Sequence, residues 1–334
     1  MPVLIGGSPS TGSSLLRQML NRHSTVYCGP EAQLFAHPHL FDKWNEVKSR
    51  LLRKPLLISP DLQLMKGAPL AGDEQGWTQS ELVSAINQCK EFKVFCETYF
   101  GHSARRYGKQ VWIDKTPANV LSFDRFLNTW EESNVIHIVR DPLDIVASLM
   151  QRGLSLFLAV SRYLFNTAHA LKCMNHERYH VLHYEALVTE PDTALGLLLD
   201  KIGLVFEPAM LNKGNPQMSE LHRMPGWRSS EIELPNRQSI GRFKNLPQKE
   251  QAEIVATLNI LRVNPDYADK HGLPLSEARS MAKALDYFVP VLDNEDNHQI
   301  LKRLRVEKNR YRLRCLRERR LFYEKETPIV LIGN

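Results

Sequence analysis

Residues 3–16 read V-L-I-G-G-S-P-S-T-G-S-S-L-L: an apolar run stopped by paired glycines, a loop of small and hydroxylated residues, then an amphipathic segment. Val3, Leu4 and Ile5 show no polar alternation, as in a strand buried on both faces. From Ser13 onward, Leu15, Leu16, Met19 and Leu20 fall on one face of a helix predicted over residues 13–22. Strand, glycine-containing loop and helix, in that order, make an anion site, because successive backbone N–H groups and the positive end of the helix dipole converge on one spot. Gly7 and Gly12 have the spacing of the glycines of a nucleotide-binding phosphate loop and Ser14 falls on its hydroxyl position, but Ser13 stands where that loop carries lysine. That lysine bridges the β- and γ-phosphates of a nucleoside triphosphate. Without it, and with no clear strand ending in a magnesium-binding Asp, kinase or triphosphatase chemistry is disfavoured. The loop suits a less extended 5′ anion held without metal.

The same alternation continues along the chain. Strands are predicted at residues 26–28, 109–113, 135–139 and 179–184, and helices at 117–130, 154–176 and 192–202. This is the pattern of an α/β protein with a P-loop-like parallel sheet flanked by helices. Two stretches interrupt it: residues 37–77, read as an insertion over the site because of the turn-rich segment 67–76, and residues 214–237, with Pro216, Pro225, Gly226 and Pro235, read as an irregular excursion. Residues 1–272 form one domain carrying the insertion, and residues 273–334 a helical, basic C-terminal extension. There Leu301, Leu304, Lys308, Tyr311, Cys315, Glu318 and Phe322 follow heptad spacing, but two of them are charged. A helix lying along the core or making a homo-oligomer contact therefore fits better than a coiled coil.

With 334 residues, 43% hydrophobic and 24% charged, the chain can bury a core, which excludes intrinsic disorder as its main state. No run of about eighteen apolar residues exists, and the first apolar stretch lacks the basic flank and length of a signal peptide, so the expectation is a cytoplasmic protein. Five widely spaced cysteines without a C-x-x-C pair suggest reduced thiols rather than a disulfide framework or a zinc site. The net charge of +6 does not point to nucleic acid: residues 298–325 hold eleven Lys and Arg against three Glu, leaving 32 basic and 34 acidic residues elsewhere.

A second anion site lies in N-V-I-H-I-V-R-D-P-L-D-I-V-A-S-L-M-Q-R, residues 134–152. A strand ends at Arg140, Asp141 caps a new helix, Pro142 suits its first position, and Asp144 sits in the capping-box slot. Arg140 is thereby set at the carboxyl edge of the sheet, where open α/β folds bind ligands. Asp144, Ser148 and Arg152, at i, i+4 and i+8, form a polar stripe. Arg140 with Ser148 reads as a clamp for a dianionic phosphate, arginine giving the bidentate fork and serine a directional donor, whereas Arg152 also reads as a solvated charge. His137, inside the strand, reads as a core histidine.

Two anion sites on separate βα turns describe a ligand such as 3′-phosphoadenosine 5′-phosphosulfate (PAPS). On these motifs the chain resembles the PAPS-dependent sulfotransferase family, most closely the branch of tyrosylprotein and many bacterial sulfotransferases; the likeness is ungapped over residues 9–31 and extends to about residue 245. The resemblance implies that Ser10, Thr11, Gly12, Ser13 and Ser14 hold the 5′-phosphosulfate, that Arg140 and Ser148, with Arg152, hold the 3′-phosphate, and that Tyr184, in H-Y-E-A-L, contacts the nucleotide. Arg237 and Ser239, in R-Q-S-I-G-R-F-K-N, are implied to complete the 3′-phosphate site, with Phe243 in place of the family's tryptophan. Ser10 stands where this branch usually carries arginine, so charge at the sulfuryl group is met from elsewhere or more weakly.

Sulfuryl transfer to a hydroxyl needs a base for the acceptor proton and a cation or donors for the departing oxygen. The resemblance implies Glu31, in C-G-P-E, as the base and Lys115, in W-I-D-K-T-P, as the cation at the bridging oxygen, with Asp114 and Thr116 structural. His102 is the rival base, since other branches use histidine, although its flanking residues do not match theirs. PAPS is then the co-substrate, no metal is required, and the acceptor is a hydroxyl on a small molecule, glycan, lipid or peptide. The competing readings are a P-loop nucleotide kinase and a non-catalytic nucleotide-binding protein.

Overall fold

The structure, a computed structural model, describes residues 1–52, 76–212, 237–291, 298–317 and 328–331. Most of the expected insertion and of the irregular excursion lies outside the described residues. The chain divides into two compact units, one of residues 1–7, 12–138 and 175–236, the other of residues 8–11, 139–174 and 237–334.

The first unit is built on a five-stranded sheet of β1 (Pro2–Gly6), β2 (Val26–Cys28), β3 (Val111–Lys115), β4 (Asn134–Val139) and β5 (Tyr179–His183), in the order β2-β3-β1-β4-β5. The pairs β2–β3, β3–β1 and β1–β4 run parallel. Every residue of β1 and β4 is buried, which is why these strands read as unbroken apolar runs, whereas β5 alternates buried and half-buried positions. His137, in the middle of the sheet, is kept neutral: burial, then His183, pulls its pKa down to about 3, and Nδ1 lies 2.6 Å from the Tyr179 hydroxyl.

Register decides where β3 ends. Val111 pairs with Val26 and Lys115 with Ile5. The strand therefore runs two residues further than its apolar stretch suggested, and Asp114 and Lys115 become strand residues at the carboxyl edge beside the end of β1. The helix Ser13–Asn21 packs Leu16, Met19 and Leu20 into the core with Val3, Ile5, Val26, Ile136 and Leu195. The segment predicted as one helix at 117–130 is a 3-10 turn, Pro117–Ser122, followed by the helix Phe123–Thr129. On the other flank an aromatic cluster forms around fully buried Phe35, which stacks on Phe100 and Trp112 and meets Phe126 and Phe92 edge-on at centroid distances of 5.3 and 5.7 Å.

In the second unit the helix Leu156–Leu171, capped by Ser155, buries most of its length and packs with the helices Pro142–Gln151, Gln248–Ile260, Ala278–Ala284 and His298–Arg317. The C-terminal basic helix is fastened to this core. Leu304 is fully buried, Glu307 accepts the Phe157 N–H at 2.8 Å, and Arg303 bridges Glu307 and Glu253. Of the heptad, Glu318 and Phe322 fall outside the described residues. The region after residue 273, expected to be helical, also contributes a strand: β7 (Ile329–Leu331) pairs antiparallel with β6 (Leu261–Val263). A three-residue β-branched and leucine run has too little periodicity to announce a strand; its partner edge decides it. Among the described residues no helix is long and apolar enough to cross a membrane.

Packing between β1 and β4 leaves no room beyond a hydrogen at Gly7. A Cβ there would lie 2.3 Å from the Ile138 carbonyl oxygen, a backbone atom that cannot rotate away. Gly7→Ala is expected to destabilise the protein by roughly 1–3 kcal/mol, measured as a lower denaturation midpoint; an unchanged midpoint would refute the close packing.

Candidate active site

In the first unit the site is built on the carboxyl ends of β1 and β3. Gly12, in the left-handed region at φ 85°, caps the helix Ser13–Asn21 without any side-chain hydrogen bond, so the first-turn N–H groups have no capping side chain. The Tyr184 ring covers the same glycine: a Cβ would lie 2.3 Å from its Cδ2. Tyr184 begins the helix that follows β5. Ser13 is buried and Ser14 half-buried.

At the end of β3 the Lys115 ammonium, its side chain 3% exposed, donates to Glu31 Oε1. Gln33 Nε2 donates to the other oxygen, Oε2, at 3.0 Å. The turn that carries Glu31 is tied down from beneath by Asp114, fully enclosed beside Lys115. Asp114 Oδ1 accepts the Ala32 N–H at 3.1 Å, and Oδ2 accepts from Asn119 at 2.9 Å and Thr116 at 3.2 Å. Thr116 Oγ1 in turn accepts the Gln33 N–H at 3.4 Å. Burial pushes the Asp114 carboxyl up to about 6, against the opposing pull of these donors, with Glu31 adding to the rise. Asp114 and Thr116 thus act as the mounting of the Glu31 turn. His102 stands apart from this arrangement: its Nε2–H is committed to the Gly76 carbonyl at 2.8 Å, and its ring lies against Trp77 at 4.1 Å.

In the second unit the loop residues Ser8–Thr11 are cinched by Thr11 Oγ1 donating to the Ser8 carbonyl at 2.9 Å. Ser10 adopts φ 73°, unusual for a residue with a Cβ. The hydroxyls of Ser8 and Ser10 are buried with no hydrogen-bond partner among the described residues. Buried donors left open in this way are what an anionic ligand satisfies. Arg140 donates to the Ser10 carbonyl at 3.0 Å and to the Ser239 carbonyl. Ser148 is buried in the second turn of the helix Pro142–Gln151. The Arg152 guanidinium is pushed below the usual arginine range, first by burial and then by Arg242 and Arg140. Arg242 and Arg140 thus lie near enough to disfavour the charge on Arg152, a repulsion that an anion between them would relieve.

Asp144 has a different task from the capping-box role its position suggested. Asp141 does cap the helix Pro142–Gln151, accepting from the N–H groups of Leu143 and Asp144. The Asp144 side chain, 3% exposed, instead accepts the backbone N–H groups of Gly241 and Phe243, each at 2.8 Å, and pairs with Arg140 at 3.4 Å. It therefore holds the loop that carries Ser239. Arg237 lies exposed at the start of that loop. Arg242 lies inside it, donating to Ser239 Oγ at 2.9 Å and to Gln151 at 3.0 Å. Arg242 does not stand out in the sequence because it sits in a loosely matched segment; its only signal there is being a second arginine in R-Q-S-I-G-R. No group of three or more His, Cys, Asp and Glu among the described residues is placed to hold a metal ion.

Two outcomes follow from the buried carboxyls. Because the folded-state pKa of Asp114 is raised, the folded protein binds the extra proton between about pH 4 and 6, and stability falls as pH rises through that window. Asp114→Asn is expected to flatten this slope in denaturation curves taken at each pH, and an unaltered slope would show that the group does not titrate there. Asp144→Asn replaces two acceptor oxygens by one acceptor and one donor facing backbone N–H groups. It is expected to lower stability by roughly 1.5–3 kcal/mol and to speed tryptic cleavage at Arg242 and Lys244; unchanged cleavage would sink the tethering role.

Comparison with known proteins gives the family and the fold. A family model described as the Sulfotransferase family matches residues 2–208. The sulfotransferase domain from the olefin synthase of Synechococcus PCC 7002 is similar in fold, with a TM-score of 0.50 and 21% identity over 77% of this chain and 94% of that one. The sulfotransferase domain from the curacin biosynthetic pathway is similar too, with a TM-score of 0.51 and 20% identity over 87% of this chain and 99% of that one. With the family model spanning more than half of its 334 residues, from β1 through the helix that follows β5, the chain belongs to the sulfotransferase family.

Proposed function

We propose that the chain transfers a sulfuryl group from PAPS to a hydroxyl acceptor by in-line displacement, with Glu31 as the base. The observation that carries this reading is the contact between the Lys115 ammonium and the Glu31 carboxylate at the end of β3. Sulfuryl transfer needs one group to receive a proton and another to meet negative charge on a departing oxygen, and the pair supplies both side by side. Glu31 takes the proton of the acceptor hydroxyl as that oxygen bonds to sulfur. Lys115 meets the charge on the bridging oxygen as the bond from sulfur to it breaks and the electron pair stays with that oxygen.

The remaining residues bind. Ser10, Thr11, Gly12, Ser13 and Ser14 receive the 5′-phosphosulfate, a role supported by the two buried hydroxyls without partners and by the uncapped helix start. Arg140, Ser148 and Arg152 receive the 3′-phosphate, supported by the clustered guanidiniums, to which we add Arg242. Tyr184 contacts the nucleotide, and Arg237 and Ser239 complete the loop beside the 3′-phosphate. The charges are met by Lys115, the arginines and the loop amides, so the scheme calls for no metal ion. We place the reaction in the cytoplasm, on the hydroxyl of a small molecule, glycan, lipid or peptide, and keep the C-terminal helix as a candidate homo-oligomer contact.

Binding and turnover separate these roles. Arg140 also fastens the Ser10 and Ser239 carbonyls, so Arg152 is the cleaner probe of the 3′-phosphate. Arg152→Ala is expected to weaken 3′,5′-adenosine bisphosphate by roughly ten-fold or more while leaving 5′-AMP nearly unchanged. Glu31→Gln is expected to keep bisphosphate affinity and lower kcat by roughly 10²–10⁴. Equal losses for both nucleotides would overturn the 3′-phosphate assignment. Full turnover in Glu31→Gln with none in His102→Ala would move the base to His102.

A further inference from the structure

We propose that Gln33 is a positioning residue that anchors one oxygen of Glu31 so that the other, Oε1, takes the acceptor proton. This rests on the reading of Glu31 as the base. Gln33 is one of three residues other than glycine with positive φ among those described, at φ 60° and ψ 3°. Glycine would take that conformation freely, so a side chain kept there against its backbone preference points to a use for the side chain. The left-handed turn folds Gln33 back over two residues, and its Nε2 donates to Glu31 Oε2 at 3.0 Å.

The two oxygens of Glu31 are therefore held by donors of different kinds. Oε1 is held by the Lys115 ammonium, which the reaction calls to the departing oxygen. Oε2 is held by a neutral amide with no such duty. Once Lys115 turns to its own task, Oε1 loses its donor while Oε2 remains tied, which leaves Oε1 as the proton acceptor in a fixed orientation. Gln33 is itself well secured: its N–H donates to Thr116 Oγ1, its carbonyl accepts the Ala36 N–H at 3.3 Å, and the next residues but one bring in fully buried Phe35. Proton transfer depends steeply on such alignment, and a displacement of about 1 Å costs up to roughly 10²-fold in rate.

The test uses the full chain with sulfate release from radiolabelled PAPS to water, the hydroxyl acceptor that is always present, alongside thermal melting and titration with 3′,5′-adenosine bisphosphate. Gln33→Gly removes the amide and relaxes the backbone; Gln33→Met keeps the length without a donor. Both are expected to lower kcat by roughly ten- to a hundred-fold, with bisphosphate affinity unchanged and the melting temperature of Gln33→Gly no lower than that of the parent. In the Glu31→Gln background, adding Gln33→Gly is expected to cause no further loss, because the oxygen it positions is no longer part of a base. Turnover retained in both Gln33 variants, with Glu31→Gln inactive, overturns the inference and leaves the base in place. A loss in Gln33→Gly matched by lower melting or weaker bisphosphate binding overturns it in favour of a structural role. Full turnover in Glu31→Gln removes the base reading itself.

Discussion

Because β1 pairs in parallel with both β3 and β4, in a register that sets Ile5 against Lys115 and Gly6 against His137, three strands end at one edge of the sheet. That alignment is the constraint on which the chemistry of the first unit depends. A parallel ladder whose central strand, β1, is packed on both faces has few ways to slip, because a shift of one residue would exchange every side chain between two differently shaped packed surfaces. Lys115 is therefore delivered to the end of β1 by the sheet itself. There it is nearly closed off from water, and an ammonium in that position needs a charged partner. Glu31 is that partner, and the requirement ties the turn after β2 to the end of β3.

Buried carboxylates serve the same end in both units. Asp114 grips the Ala32 N–H, and Asp144 grips those of Gly241 and Phe243. Each sits where a regular element begins or ends and reaches a stretch of backbone that has no ladder or helix to satisfy its N–H groups. An aspartate is short enough to stay rigid and carries two oxygens, so one residue fixes both the position and the direction of a loop. Asp114 sits in a low-dielectric pocket whose neutral donors only partly offset the cost of burying its charge, which is why its carboxyl titrates high. Asp144 has a guanidinium beside it. The segments so held carry Glu31 and Gln33 in one unit and Ser239 and Arg242 in the other.

The phosphate loop relies on a different device. Where a triphosphate-binding loop would carry lysine, this one has serine, and its backbone takes left-handed conformations at Ser10 and Gly12. Tyr184 rests on Gly12 and leaves no space for a Cβ, so the loop and the nucleotide-contacting tyrosine of the proposed mechanism are sterically matched.

The sequence by itself determined the α/β class, the position of the five strands to within two residues, the strand, loop and helix of residues 3–16, and the strand-to-helix junction at Arg140. Each of these rests on local signals: apolar runs, the spacing of glycines, and a proline after a capping aspartate. It also placed Glu31 and Lys115 by resemblance, though nothing in their immediate neighbours says that the two touch. Only the tertiary structure decided the rest. The end of β3 was set by pairing with Val26 and Ile5, β7 by the free edge of β6, and the task of Asp144 by two backbone N–H groups about a hundred residues away. The contacts of Gln33 and Arg242 were equally out of reach, because a glutamine in a loop and an arginine in a loosely matched segment meet their partners only in the folded chain. Hydrogen bonds and charge clusters between distant residues have no period and no spacing, so they leave no pattern along the chain.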